Sequence, residues 1–96
     1  MTYVVCATWI AKEGEEEAVE AAIRRLVEPS RAEPGMRTYV PHRDPKDPRT
    51  FFIYEVYDDE AAYQAHLESE HIKEHGFGDA IPRLAERRRE FYEPLA

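Results

Sequence analysis

The 96-residue sequence contains a single cysteine, Cys6, and no asparagine. One thiol excludes an internal disulfide, and no Cys and His spacing suits a structural zinc site. No apolar run approaches the ~20 residues that a membrane-spanning helix requires. The N-terminal stretch MTYVVCATWI is apolar but has neither a basic leader nor a small-residue cleavage signal. It therefore reads as a first strand, and the cytoplasm is the expected address. Positive charge is scarce too: 13 Lys and Arg against 20 Asp and Glu leave a net charge of −7. Such a surface repels nucleic-acid phosphates. The one basic run, Arg87-Arg88-Arg89, sits between Glu86 and Glu90 and reads as a solvated face.

What is present fits one globular domain over residues 1–96, 43% hydrophobic and 34% charged. A chain of this length buries only about 60 to 68% of its unfolded surface, so a monomer has a thin core. Tyr3 to Ala11 reads as a strand with apolar residues on both faces, as does Phe51 to Tyr57. An antiparallel sheet with helices on one face needs other cover for such residues, and a second copy of the chain is the simplest. Between them, Glu15 to Glu28 is the clearest helix. Val19, Ala22, Ile23, Leu26 and Val27 form one stripe, and Pro29 is expected to stop it. Glu33-Pro34-Gly35 is a turn, and Met36 to His42 is a strand whose Pro41 favours an edge position. Asp58-Asp59 can cap a helix running to about Leu67, and Ser69 a short second segment through His75. Gly76 and Gly78 should break the pattern there, Asp79 should restart a helix with Leu84 and Ala85 on its inner face, and Glu90 to Leu95 should be the last strand. The order β, α, β, β, α, β is that of an α+β ferredoxin-like sandwich, a four-stranded antiparallel sheet with helices on one face. The doubly apolar strands add a homodimer with the two sheets face to face.

Alternation puts Glu55 on the same strand face as Phe51, Ile53 and Tyr57, a carboxylate among apolar neighbours. His66 shares a helix face with Tyr63 and Leu67, which turns its imidazole toward the sheet. The expectation is an acid facing a base, with Glu55 orienting His66. At ~4 Å and an effective dielectric of 20, opposite charges attract by about 4 kcal/mol before desolvation, which would hold Glu55 ionised. The competing reading is a structural polar contact under the helix. Trp9, Tyr39, Tyr54, Tyr57 and Phe77 are candidates for an aromatic wall. Tyr57 is preferred to Tyr54 because it shares a face with Glu55. The imidazoles of His66, His71 and His75 follow an H-x4-H-x3-H spacing too uneven for a metal site, and none is expected.

In order and spacing, several short motifs resemble the antibiotic biosynthesis monooxygenase domain family. They are Lys12-Glu13-Gly14, Glu33-Pro34-Gly35, Tyr39, the loop Asp44-Pro45-Lys46-Asp47-Pro48, Tyr54-Glu55-x-Tyr57, Ala65-His66-Leu67 and Ser69-x-His71. The resemblance covers nearly the whole chain. It implies a dimeric α+β barrel and, in enzymatic members, oxygenation of a phenol or quinol by dioxygen with no metal or organic cofactor. On that reading His66 is the base and Glu55 its partner, while Tyr57, Trp9, Tyr39, His71 and Phe77 contact a small aromatic or quinol substrate. The chain departs from the family in having Tyr57 where many members carry Trp. It also lacks the active-site Asn of the polyketide-oxidising and haem-degrading branches, and Gly76 stands where the haem branch carries its axial His. Haem degradation is therefore not expected. An isomerase or tautomerase using the same base, or a non-catalytic dimer that binds a ligand or serves in stress response, are the alternatives.

Overall fold

In a strand, residues two apart share a face, so the inward set of each strand decides where the core lies. A computed structural model describes residues 1–96. Its four strands are β1 (Tyr3–Ala11), β2 (Met36–Arg43), β3 (Thr50–Tyr57) and β4 (Leu84–Tyr92). They form one antiparallel sheet in the order β2-β3-β1-β4. Helix α1 (Glu16–Arg31) follows β1 and helix α2 (Glu60–Leu67) follows β3. This is the expected ferredoxin-like α+β arrangement. Val5, Ala7, Trp9, Ala11, Tyr39, Phe51 and Ile53 point inward and are buried, and Val19, Ala22, Ile23 and Leu26 of α1 are buried over the same face. Full burial of such a side chain contributes about 1.5–3 kcal/mol, several times an exposed ion pair, so packing seats α1. Pro41 lies on β2, an edge strand, as its missing N–H requires. No helix is long and apolar enough to cross a membrane.

Three expectations are corrected. Pro29 does not stop α1, which continues to Arg31. A proline inside a helix costs about 3 kcal/mol, but here only the last turn is affected. Ser30 in that turn is buried, and Arg31 ties the turn to the sheet through its Nε, which donates to the Tyr39 carbonyl at 3.0 Å. Nor do Gly76 and Gly78 break the chain: Ile72–Ala80 winds as a wide π-helix, followed by a 3₁₀ turn at Ile81–Arg83. A Cβ on Gly78 would stand 2.9 Å from the Lys73 carbonyl oxygen, so the wide turn is built on the missing side chain. Ser69 does cap this segment, accepting from the Ile72 N–H at 3.3 Å.

Third, the last strand is not Glu90 to Leu95, and Leu84 and Ala85 belong to it rather than to a helix. β4 pairs with β1 through the basic run, Arg87 opposite Trp9 and Arg89 opposite Ala7. Strand propensity is weak there, yet an edge strand tolerates and uses charge. Arg88 faces outward and pairs with Glu86 at 2.6 Å. Arg87 and Arg89 face the other way, so the run is not simply a solvated face.

Candidate functional site

Between the sheet, α2 and the π-helical segment lies a cavity lined by Trp9, Tyr39, Glu55, His66, Phe77, Arg87 and Arg89, among others. β3 carries Glu55 to it and α2 carries His66. Asp59 fixes the start of α2, accepting from the Ala62 N–H at 2.9 Å as its cap. Gly35 sets the depth of α2, because a Cβ there would come 2.5 Å from that of Ala62. Both functional groups are buried, Glu55 at 6% exposure and His66 at 3%.

The two groups share the chamber, but they are not hydrogen-bonded to each other. Glu55 instead accepts a hydrogen bond from the Tyr57 hydroxyl at 2.5 Å, two residues along the same strand face. His66 turns its Nδ1 to Glu33 Oε2, 2.7 Å away. The expected orienting role of Glu55 therefore falls to Glu33, in the loop between α1 and β2. His71 donates its Nε2–H to the same Glu33 oxygen at 2.5 Å and so lies beside the cavity rather than in its wall. Tyr57 is fully buried behind Glu55, packed with Val5 and Tyr63, and does not line the cavity. Trp9, Tyr39 and Phe77 do line it.

A carboxylate only accepts hydrogen bonds, so the bond to Glu33 assigns the proton of neutral His66 to Nδ1. Nε2 then carries the lone pair; it makes no hydrogen bond within the chain, and the ring forms part of the cavity wall. Glu55 is not held ionised either. Burial pushes its carboxyl up to about 7, against the downward pull of the Tyr57 hydroxyl, His66 and Arg89. Burial and the Glu55 carboxylate likewise push the Tyr57 hydroxyl far above the usual phenol range. The chamber thus holds a carboxyl that burial raises well above the usual carboxylate range and an imidazole with an open nitrogen.

Sequence reasoning missed Glu33, Tyr63 and two arginines. Arg89 donates to the Tyr63 hydroxyl at 2.7 Å, and the Arg87 guanidinium lies 5.7 Å from the Phe77 ring centre at the mouth. The void totals about 420 Å³ including its mouth, of which about 40 Å³ admits the centre of a water molecule. An aromatic ring therefore enters only when side chains at the mouth move aside. Phe77, at 43% exposure, and the exposed Arg87 are the side chains that stand there. For Glu33 the available signal was a carboxylate directly before a Pro-Gly turn, which fixes the chain direction where it meets α2.

His75 does not join His66 and His71 in a cluster, and it pairs with Glu74 at 3.1 Å. Glu33, His66 and His71 do converge, each offering a donor atom within 4.8 Å of the others.

The model of the antibiotic biosynthesis monooxygenase family matches residues 2–76. The crystal structure of PA3566 from Pseudomonas aeruginosa is similar over 99% of this chain and 95% of its own, with 34% identity and a TM-score of 0.92. Protein SO0527 from Shewanella oneidensis is similar over 95% and 88%, with 28% identity and a TM-score of 0.87. The crystal structure of an antibiotic biosynthesis monooxygenase is similar over the full length of both chains, with 26% identity and a TM-score of 0.90. No curated protein matches the chain.

Proposed function

Because the chain belongs to the antibiotic biosynthesis monooxygenase family, we propose that it is a cofactor-independent monooxygenase acting on a small phenolic or quinol substrate with dioxygen. The observation that carries this reading is the His66 imidazole, tied at Nδ1 to a carboxylate and open at Nε2 in an aromatic cavity. Nε2 takes the proton of a bound phenolic hydroxyl, and Glu33 stabilises the imidazolium that forms. The electron-rich phenolate then reduces dioxygen in a chamber that excludes bulk water. For a hydroquinone the atoms balance without a reductant: hydroquinone plus O₂ gives hydroxyquinone plus water, with all four electrons drawn from the ring. Trp9, Tyr39 and Phe77 flank the ring in this reading.

Oxygen uptake with a panel of hydroquinones, followed by mass spectrometry under isotopically heavy dioxygen, tests it. One heavy atom is expected in the product. Turnover without oxygen consumption would instead favour isomerisation, a reading supported by the near-neutral carboxyl of Glu55 beside the His66 base.

The assembly belongs to the same proposal. The outer sheet face carries Phe52 and Tyr54, each 38% exposed, with Val40 beside Tyr54, Tyr92 on the same face across β1, and no helix over them. A second copy of the chain covers this face, sheet against sheet. Replacing Tyr54 with Glu would place a charge there that association must desolvate. Sedimentation should show a dimer for the native chain and a monomer for Tyr54→Glu; a native monomer would overturn the assembly.

A further inference from the structure

We propose that Glu33, His66 and His71 form a binding site for a divalent late first-row transition ion such as Zn²⁺ or Co²⁺. The three side chains come from three separate segments, the loop after α1, α2 and the turn before the π-helix, and converge on one point. Two imidazole nitrogens with one carboxylate oxygen suit these ions and disfavour Mg²⁺ and Ca²⁺, which take all-oxygen shells. All three are shielded, with side-chain exposures of 4% for His66, 14% for Glu33 and 19% for His71. A partly closed site of three protein donors leaves a further position for water, the pattern of an open rather than a structural zinc site.

The present spacing is that of hydrogen bonds, 2.7 Å and 2.5 Å from Glu33 Oε2 to the two nitrogens. Metal bonds of about 2.0–2.2 Å in a tetrahedral shell separate the donors by roughly 3.3 Å. The carboxylate must therefore withdraw by less than 1 Å by this estimate, and the two imidazole nitrogens, which lie within 4.8 Å of each other, must close toward the same spacing. Glu33 can do so because it stands in a loop and its second oxygen, Oε1, makes no hydrogen bond. On metal binding the Nδ1 proton of His66 moves to Nε2, and the Nε2 proton of His71 moves to Nδ1, so no proton need be released.

That tautomer exchange has a consequence resting on the reading of His66 as base: with Nε2 protonated, it cannot accept a proton from substrate. Zinc is then an inhibitor of turnover, acting from outside the cavity. Binding itself is tested without activity, by titrating Co²⁺ into chelator-treated full-length protein and recording its visible absorption, with Zn²⁺ calorimetry alongside. One ion per chain is expected. His71→Ala should weaken binding more than tenfold with an unchanged circular dichroism spectrum, and His75→Ala, which removes the nearby histidine outside the cluster, should leave it unchanged. Failure to bind at millimolar metal, or equal binding by His71→Ala and the native chain, would overturn the site. Should the ion bind as expected while turnover persists, the site stands and the assignment of His66 as base fails.

Discussion

His66→Ala should reduce oxygen uptake on a responsive hydroquinone by about 100- to 10,000-fold, the usual contribution of a positioned general base. The imidazole is the one group in the chamber with both an open nitrogen and a carboxylate behind it. Removing it leaves the aromatic wall and Glu55 in place, so binding should suffer less than turnover. Because the ring leaves a hole when cut to Ala, added imidazole should restore part of the rate, a result that loss of packing alone does not give. Glu33→Gln should lose on the order of 100-fold, because a misdirected base is costly even when present. The amide can offer an N–H to Nδ1 and select the other tautomer, turning the proton of Nε2 toward the substrate. Uptake by His66→Ala equal to that of the native chain would remove His66 from the mechanism.

The second large effect concerns stability. Glu55 has a carboxyl raised from 4.5 to about 7 in the folded chain. At 1.36 kcal/mol per pH unit, this difference amounts to about 3 kcal/mol, an order-of-magnitude figure for a buried group. A raised value means that the folded state holds its proton where the unfolded state has already lost it. The associated stability is thus fully present below pH 4.5 and is lost as pH rises to about 7, with no further change above. Other carboxylates also titrate in this range, so the informative quantity is the difference between Glu55→Gln and the native chain. Gln is neutral at every pH and its carbonyl oxygen can still accept from the Tyr57 hydroxyl. Urea unfolding should find the variant gaining about 3 kcal/mol on the native chain between pH 4.5 and pH 8. A pH-independent difference would show that Glu55 titrates normally.

Glu55 and His66 mark how far the sequence could be read. Glu55 was legible as an inward carboxylate because strand alternation is rigid, and His66 as an inward imidazole because the Asp59 cap and the Tyr63 spacing fix the phase of α2. Each side chain was assigned a direction correctly, and each was given the wrong partner. Glu55 bonds along its own strand to Tyr57, and His66 reaches 33 residues back to Glu33. Periodicity gives the direction of a side chain within one element, but hydrogen-bond partners depend on how loops bring separate elements together. The same limit explains Tyr57, whose face was right and whose depth was not.

The misread elements share a cause. Pro29, Gly76, Gly78 and Arg87 to Arg89 all carry local preferences against the structure they occupy, and in each case the folded chain overrides them. Arg31 anchors the turn around Pro29, a wide helical turn uses the bare Cα of Gly78, and the arginines find an edge strand with one face toward the cavity. The apolar stripe of α1, by contrast, was readable in full because burial of that stripe is what the local preference already favoured.

The narrow mouth formed by Phe77 and Arg87 bears on which guests the chain admits. One side chain belongs to the π-helical segment and the other to an edge strand, so the opening widens only by reorienting two independently anchored residues. Discrimination among rings would then occur at the threshold, by the bulk and charge of substituents passing between a phenyl face and a guanidinium. The interior groups would act alike on whatever has already entered.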